Sequence, residues 1–339
     1  MSIASGLASA SQALPELAGN AVHAALAAAG LKQAATVLLF LTRDFMRQPQ
    51  PAILAAARAA GSLNVFGCTA SGLFTERGVL LDQPGAAALV MGNNSADSTD
   101  GNLVLSFTGH SGLPFDWQGA SPPRAGLLES EAASWAHGRL TSDAGCDLRI
   151  PGRRVHLALS TGLRQLSQPL PVEASAAYEL RQVAGQSAVA SLRRCLPPEL
   201  RDHLPLHRIA LLRQPDEPAI AILAANADGS LTLAEELAAG EKIQWAIRQP
   251  LAAEEDMRQS LRRAADTSAT PDFGLMFSCI GRGPLFYGGE DRDLLAFREQ
   301  FPGVPLLGAY GSGQIAPAAG RNRLFHNAVI TLLFESAHV

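Results

Sequence analysis

The sequence predicts an α/β protein made of two related α/β halves, each built on a duplicated βαβ unit with added antiparallel strands. Three observations support this prediction: the length of 339 residues, a strand–helix–strand order near each end, and paired glycines after each unit. A chain of this length exceeds the size at which one hydrophobic core usually stops growing. We therefore expect two domains, at residues 21–175 and 176–335.

In the first half, alanine-rich residues 20–30 predict a helix closed by glycine, and the apolar run at 35–41 predicts a buried strand. A second helix is predicted over 51–60, because proline begins it and glycine follows it. A strand at 63–66 then leads into a glycine-rich segment, 67–72, which is typical of a turn. Two strands joined by a helix predict parallel pairing with a right-handed crossover.

The second half repeats this order. A strand at 273–279, a helix at 291–300 and a strand at 304–307 precede Gly308 and Gly313, which have the same spacing as Gly67 and Gly72. The shared order of elements indicates a duplicated unit. In the middle of the chain, the pattern predicts further helices at 125–139 and 253–265.

The composition argues against several classes of protein. A net charge of −4, three tyrosines and three tryptophans leave no basic, aromatic surface for nucleic acid. Four cysteines without a Cys-x-x-Cys pair argue against a structural zinc site and a disulfide framework. No apolar run reaches the ~18 residues of a membrane span, and the amino terminus lacks the basic start of a secretory signal. We expect a cytoplasmic protein without nucleic-acid partners or membrane insertion.

One arginine is a candidate anion-binding group. Arg282 lies between Gly281 and Gly283, shortly after the predicted strand that ends at Cys279. Ligands of open parallel sheets bind at the carboxyl ends of strands, and a guanidinium offers a planar fork to a carboxylate or phosphate. The alternative is an arginine that bridges to a neighbouring aspartate or glutamate in a tight turn.

The two glycine segments differ from nucleotide-binding loops, because neither contains Gly-Lys-Ser/Thr. Backbone N–H groups in such turns can still donate to a ligand oxygen. Thr69, Ser71 and Ser312 add side-chain donors at the same places.

Two cysteines and one histidine leave an enzymatic alternative open. Cys68 and Cys279 lie at or near the carboxyl ends of predicted strands, and His326 is a candidate base. A thiolate nucleophile needs such a partner to lower its pKa. His326 is also a candidate polar contact or axial metal ligand, although no set of histidines has the spacing of a metal site.

Several motifs resemble, in chain order, those of the FIST family of sensory proteins, which combine a FIST N and a FIST C domain. The similarity covers roughly residues 21–334. The resembling segments are Val-Phe-Gly-Cys-Thr-Ala-Ser-Gly at 65–72, Ser-Thr-Gly-Leu-Arg-Gln-Leu-Ser at 160–167, Phe-Ser-Cys-Ile-Gly-Arg-Gly at 277–283, Gly-Ala-Tyr-Gly-Ser-Gly-Gln-Ile-Ala-Pro at 308–317 and Phe-His-Asn at 325–327.

This resemblance implies a sensor rather than an enzyme. It implies a small-molecule ligand, an amino acid or a related carboxylate, and output through a separate signalling protein such as a kinase or a cyclase. Many relatives carry glutamate where this chain has Gln314, and an amide cannot neutralise an ammonium group, so a simple carboxylate is favoured. Some relatives are described as haem-binding nitric oxide sensors, which makes a haem sensor the alternative to a protein without cofactor.

By matching position, the resemblance implies six pocket residues. Four more are candidates because they lie at or near the carboxyl ends of predicted strands or in the glycine segment that follows. The candidate ligand-binding residues are therefore Gly67, Cys68, Thr69, Ser71, Cys279, Gly281, Arg282, Tyr310, Gln314 and His326.

Overall fold

The computed structural model of the protein describes residues 2–93, 103–143, 145–267 and 270–336. The chain divides into two compact units. Unit 1 comprises Met1–Ser160 and Met257–Val339, and unit 2 comprises Thr161–Asp256. The predicted division at residues 175 and 176 concerns family domains rather than compact units, and it stays a prediction.

The elements follow in chain order. The strands are β1 Ile3–Ser9, β2 Thr36–Thr42, β3 Val65–Ala70, β4 Gly72–Thr75, β5 Gly78–Leu80, β6 Gly85–Met91, β7 Val104–Thr108, β8 Arg124–Leu128, β9 Ser134–Ala136, β10 Arg139–Leu140, β11 Gly145–Leu148, β12 Arg153–Ser160, β13 Leu163–Gln165, β14 Leu170–Ala176, β15 Glu179–Val183, β16 Gln186–Ser187, β17 Ile209–Leu212, β18 Ile220–Ala225, β19 Leu231–Leu233, β20 Lys242–Arg248, β21 Phe273–Cys279, β22 Leu306–Gly311, β23 Gly313–Ala318, β24 Arg321–Phe325 and β25 Val329–Ser336. The α-helices are α1 Glu16–Ala29, α2 Gln50–Ala60, α3 Ala188–Cys195, α4 Pro250–Ala265 and α5 Arg292–Gln300.

The predicted duplication is present in unit 1. One sheet has the strand order β1-β6-β2-β3-β9-β10, and a second has the order β12-β25-β21-β22-β4-β5. In each, the two strands of the βαβ unit are parallel (β2 with β3, β21 with β22). In each, the last strand of the repeat returns antiparallel beside the first strand of that unit, and a further antiparallel strand lies beyond it. The α/β fold of two related halves is therefore confirmed.

The two repeats exchange strands. β4 follows β3 in the chain but pairs with β22 of the other repeat, with Gly72 opposite Tyr310. β23 follows β22 and pairs with β8 in a third sheet, whose order is β11-β7-β8-β23-β24. Neither repeat therefore completes its strand pairing alone, which makes unit 1 a single body.

Side chains alternate in direction along the central strands, so successive residues pack in different layers of unit 1. In β2, Leu38 and Phe40 face a core shared by the sheets, whereas Leu39 packs with helices α1 and α2. In the second repeat, α4 and α5 cover the outer face of the sheet, and Phe277 points into the shared core. The rings of Phe40, Phe107 and Phe277 meet there with centroids 5.2–6.1 Å apart. This order of layers, helix–sheet–sheet–helix, buries both faces of both sheets.

Most of the predicted helices are confirmed. α1 and α2 end at Gly30 and Gly61, each with φ of +66°, where glycine adopts the left-handed conformation at no steric cost. The helix predicted at 125–139 is wrong: β8 and β9 occupy this stretch. Long-range pairing of β8 with β7 and β23 overrides local helix propensity. No helix among the described residues is both long and apolar enough to span a membrane.

The two predicted glycine turns are wrong as well. Gly67 lies inside β3 and Gly308 inside β22. A Cβ on Gly67, which has φ of +150°, would lie 1.8 Å from the Leu39 carbonyl oxygen. A Cβ on Gly308 would lie 2.0 Å from the ring of Phe74. These glycines allow close packing of strands, and the backbone around them is paired in the sheets.

Unit 2 is a closed antiparallel barrel inserted into the second repeat, between β12 and the segment that begins at Met257. Its strands pair in the ring β20-β14-β15-β19-β18-β17, and β17 returns to β20. Ser187 caps helix α3, because its side chain accepts a hydrogen bond from the Ala190 N–H at 3.3 Å. The indole of Trp245 in the barrel core donates to Ser191 Oγ at 3.2 Å.

Candidate functional site

Arg282 lies at the carboxyl end of β21, as predicted, in a 3-10 turn over Ile280–Arg282. Its side chain is 2% exposed, and all three of its guanidinium nitrogens donate hydrogen bonds. Nε and Nη2 bind Asp293 Oδ2 and Oδ1 at 3.0 and 2.9 Å. Nη1 and Nη2 bind the carbonyl and the hydroxyl of Ser160 at 2.9 and 2.8 Å. The alternative of an arginine bridging to a neighbouring aspartate therefore describes the geometry of this side chain.

The carboxylate partner of Arg282 belongs to a buried polar cluster at the start of α5. Burial raises the pKa of Asp293 to about 6, against the opposing effect of the Arg282 charge. Asp291 caps the helix by accepting from the Leu294 N–H at 2.9 Å, and burial also raises its pKa. Tyr310 donates its hydroxyl to Asp291, and burial beside that carboxyl raises the pKa of the phenol.

Gln314 is completely buried and joins three backbone groups. Its amide oxygen accepts from the Cys279 N–H at 3.1 Å, and its nitrogen donates to the carbonyls of Ala328 and Phe325, both at 3.2 Å. An amide supplies both a donor and an acceptor here, whereas a carboxylate would face two carbonyl oxygens. The geometry thus accounts for glutamine at this position without reference to a ligand.

The N-terminal candidates line the same interior. The N–H of Thr69 donates to the Ala133 carbonyl at 2.9 Å, and its hydroxyl accepts from the Ala133 N–H at 3.0 Å. The N–H of Ser71 donates to the Tyr310 carbonyl at 2.9 Å. These N–H groups are therefore engaged within the fold.

A second polar cluster, which the sequence did not predict, surrounds Ser312. The carboxylate of Glu129 is 1% exposed, accepts from the Ser312 N–H at 2.8 Å and forms an ion pair with Arg43. His326 Nδ1 lies 2.9 Å from the Ser312 carbonyl oxygen and donates to it. This bond leaves Nε2 of the exposed imidazole as an acceptor, the arrangement found in metal-binding histidines.

Among the described residues, His326 is a single candidate axial ligand for a haem. Neither of the two cavities described below includes His326 among its lining residues. Within the described parts of the chain, no three histidine, cysteine, aspartate or glutamate residues are grouped to hold a metal ion. Neither described cavity offers an apolar slot beside this histidine, so we derive no haem chemistry.

Two of the cysteines, Cys68 and Cys146, lack the environment of a nucleophile. Burial raises the pKa of the Cys68 thiol well above its ordinary value, and the neighbouring Cys146 raises it further. Burial likewise raises the pKa of Cys146 to about 12. A thiol in this state is almost entirely protonated at neutral pH.

A cavity of about 390 Å³ lies between the sheet of the first repeat and the third sheet. We call it the Arg124 cavity. Its walls combine apolar side chains with two arginines, one histidine and one aspartate. The lining residues are Phe66, Val104, Pro122, Arg124, His137, Asp147, Leu148 and Arg149.

Arg124 is held in the wall of this cavity from two sides. Its guanidinium carbon lies 4.5 Å from the ring centroid of Trp117, a cation–π contact. Its Nη1 donates to the carboxylate oxygens of Asp147 at 2.6 and 2.7 Å and lies 2.7 Å from Ser106 Oγ. Within the described parts of the chain, Arg124 Nε and Nη2 have no hydrogen-bond partner. The side chain is 11% exposed, so a largely buried cation keeps one edge of donors unused.

Asn322 fixes the loop that carries Trp117 and Pro122. Its side-chain nitrogen donates to the carbonyls of Trp117, Gly119 and Pro122 at 2.9–3.0 Å. Its side-chain oxygen accepts from the Arg124 N–H at 2.8 Å. Since Asn322 is 2% exposed, this wall of the cavity is set by a buried hydrogen-bond network.

The opposite wall contains a backbone outlier. His137 has φ of +50° in the turn between β9 and β10. Its ring meets Phe66 edge-on at 4.7 Å, and its Nδ1 lies 3.3 Å from Asn64 Oδ1. Non-glycine residues in this conformation cost ~1–3 kcal/mol and are frequent at functional sites.

A smaller cavity of about 180 Å³ adjoins the first, because Arg149 lines both. Its walls include the polar side chains of Asn64, Asn93 and Arg153. Arg153 is buried and paired with Asp272 and Ser336. Arg149 is thus the cationic group that the two cavities share.

The structure brings most of the sequence-predicted residues into the interior of unit 1. Cys279 and Gln314 are in direct contact, and Tyr310 and Ser71 are joined by a backbone bond. None of the ten candidates lines either described cavity. Sequence reasoning missed Arg124, Asp147 and Trp117, because their spacing matches no motif and their proximity arises only from sheet pairing.

In a comparison with known protein families, residues 186–317 match the model of the FIST C domain. An uncharacterized protein of Mycobacterium tuberculosis is 27% identical over 191 residues, 52% of this chain and 50% of that protein. An uncharacterized protein of Mycobacterium bovis is 29% identical over 202 residues, 56% of this chain and 52% of that protein. The chain thus spans about half the length of these relatives.

A short segment is also similar to a eukaryotic protein. F-box only protein 22 of Homo sapiens is 43% identical over 56 residues, which is 16% of this chain and 13% of that protein. The Arg124 cavity is lined by residues between 66 and 149 and lies outside the matched FIST C segment.

Proposed function

Because residues 186–317 match the model of the FIST C domain, we propose that this chain is a FIST-family protein that senses a small organic anion and passes the signal to a separate protein. The FIST C domain is a sensory, signal-transduction domain rather than a catalytic one. We place the ligand in the Arg124 cavity. The partner, a kinase or a cyclase in the simplest case, belongs to this proposal.

One observation carries the proposal: the Arg124 cavity combines ligand size with anion-binding chemistry. Ligand pockets typically have volumes of ~300–1,000 Å³ and apolar walls with a few polar groups, and this cavity has about 390 Å³. Phe66, Val104 and Leu148 supply apolar surface, whereas Arg124 and Arg149 supply positive charge. Since Arg124 Nε and Nη2 have no acceptor among the described residues, this guanidinium favours an anionic ligand.

The Arg282 cluster supports a structural role instead. A ligand anion at Arg282 would have to displace Asp293, which makes two hydrogen bonds to the guanidinium. It would also leave a buried carboxylate without its cation, which costs several kcal/mol. We therefore propose that Arg282 stabilises the fold and that the ligand binds elsewhere.

The experiment that tests this function is a thermal-shift screen of the full chain. The panel contains aromatic and aliphatic organic acids, the amino acids, and the neutral amide of each acid. A ligand at a hundredfold its Kd adds ~2.7 kcal/mol to the free energy of unfolding. We expect a rise of several degrees for at least one acid, since 1 kcal/mol shifts the midpoint of a large domain by ~2–4 °C.

Two matched variants locate the binding. Leu148→Trp fills the Arg124 cavity, and we expect it to abolish the shift. Leu285→Trp makes the same change at a side chain that is 91% exposed, and we expect it to leave the shift intact. The proposal is wrong if no compound stabilises the protein, or if Leu148→Trp binds the active compounds unchanged.

A further inference from the structure

We infer that the ligand of the Arg124 cavity is a flat, apolar monocarboxylic acid without an ammonium group, whose carboxylate binds the Nε/Nη2 edge of Arg124. This inference rests on the function proposed above, because it defines the class of ligand for the same cavity. It follows from the unused donors of Arg124, from the charges around them and from the shape of the walls.

Two guanidinium nitrogens of Arg124 have no acceptor among the described residues. Only Nη1 donates to Asp147 and Ser106, which leaves Nε and Nη2 without acceptors. Nε and Nη2 lie side by side and carry two parallel N–H groups, the edge that a carboxylate binds with both oxygens. Stacking on Trp117 engages a face of the guanidinium rather than this edge.

The charges around the cavity disfavour an ammonium group. Asp147 is the acidic residue of the lining, and its oxygens already accept from Arg124 Nη1 and Ser106 Oγ. An ammonium next to the bound carboxylate would lie close to the Arg124 guanidinium, and like charges repel in a partly buried site. A simple acid meets Arg124 without this cost.

The walls define the rest of the ligand. Phe66 is 6% exposed and meets His137 edge-on, which gives the cavity an aromatic side. Val104 and Leu148 complete the apolar surface. Aromatic rings pack against such surfaces in offset-stacked or edge-to-face geometry. An aryl group on a short chain from the carboxylate fits both the apolar walls and the arginine edge.

Calorimetric titration of the full chain with three matched compounds tests the inference. 3-Phenylpropionate has the carboxylate alone, phenylalanine adds the ammonium, and 3-phenylpropanamide replaces the carboxylate by a neutral amide. Indole-3-acetate and 4-hydroxybenzoate extend the series of acids. We expect an acid to bind at least about tenfold more tightly than its amide or its amino-acid counterpart, because a charged hydrogen bond contributes ~1.5–3 kcal/mol.

Arg124→Lys removes the planar fork and keeps the charge. We expect it to weaken binding of the acids about ten- to a hundredfold. Arg154→Lys is the matched control at an arginine that is 69% exposed and outside both cavities, and we expect its affinity to equal that of the wild type. If Arg124→Lys fails to fold, the three matched compounds on the wild-type protein still decide the ligand class.

The outcomes separate this inference from the proposed function. The inference is overturned if binding requires the ammonium group, if the amide binds as tightly as the acid, or if folded Arg124→Lys binds the acids unchanged. In each of these cases, loss of binding in Leu148→Trp would still support a ligand site in the cavity. If none of the aromatic acids binds but an aliphatic acid does, the inference is also wrong. If no compound of any class binds, the proposed function fails with it.

Discussion

Arg282 and Asp293 form a buried ion pair through two hydrogen bonds, Nε to Oδ2 at 3.0 Å and Nη2 to Oδ1 at 2.9 Å. The same guanidinium holds both the carbonyl and the hydroxyl of Ser160, the last residue before the chain enters unit 2. Arg282 therefore links the end of β21 to the start of α5 and to the last residue of β12. Its surroundings are those of a structural residue.

Replacing Arg282 tests this structural role. We expect Arg282→Met to lower the free energy of unfolding by ~3–5 kcal/mol, because Asp293 is left buried without its cation. Urea unfolding followed by circular dichroism measures the loss. Arg154→Met, at an exposed arginine, should stay within ~0.5 kcal/mol of the wild type. A similar small change for both variants would contradict the structural role.

The cost of Arg282→Met should depend on pH. Burial already raises the pKa of Asp293 to about 6 with the arginine present, and removing the positive charge raises it further. A carboxyl whose folded pKa exceeds its unfolded value binds protons preferentially in the folded state, so its contribution to stability falls as pH rises. The variant should therefore lose more stability relative to the wild type at pH 8 than at pH 5.5. Unfolding curves at both pH values test this, and an equal or larger loss at pH 5.5 would refute it.

Thiol labelling separates a sensor from a cysteine-dependent enzyme. The pKa values of Cys68 and Cys146 are raised by burial, so we expect neither to react with iodoacetamide in the native protein between pH 7 and 8.5. Cys195 is less buried and should react first. Mass spectrometry of labelled peptides gives the order. Rapid labelling of Cys68 or Cys279 that His326→Ala suppresses would instead favour the enzyme.

The packing of Gly308 predicts a steric effect. Its added Cβ would lie 2.0 Å from the Phe74 ring, so Gly308→Ala should destabilise the protein by ~1–3 kcal/mol. Gly112→Ala is the control, because no atom lies within 4 Å of the added Cβ there. Phe74→Leu should recover part of the loss in the double variant. Equal unfolding midpoints for Gly308→Ala and Gly112→Ala would contradict this packing.

The repeat was predictable because buried strands and glycine-ended helices leave local signals, as in 35–41 and 51–60. The strand exchange was not, since Gly72 meets Tyr310 only after the two repeats assemble. Arg282 illustrates both cases. Its position at a strand end was predicted, whereas its pairing with Asp293 depends on burial that no local pattern encodes.

The candidate ligand site was the least predictable feature. Arg124 meets Ser106, Asp147 and Asn322 from sequence separations of 18, 23 and 198 residues. Sheet pairing of β8 with β7, and of β7 with β11, brings the first two together. The local pattern next to Arg124 predicted a helix at 125–139, so its burial beside Trp117 had no signal in the sequence.

The most direct test of the ligand site is a crystal structure of the protein with 3-phenylpropionate at saturating concentration. We predict that the carboxylate oxygens lie within hydrogen-bond distance of Arg124 Nε and Nη2, with the phenyl ring against Phe66. An empty Arg124 cavity with the ligand bound beside Arg282, or an empty cavity at a concentration that saturates the calorimetric signal, would contradict it.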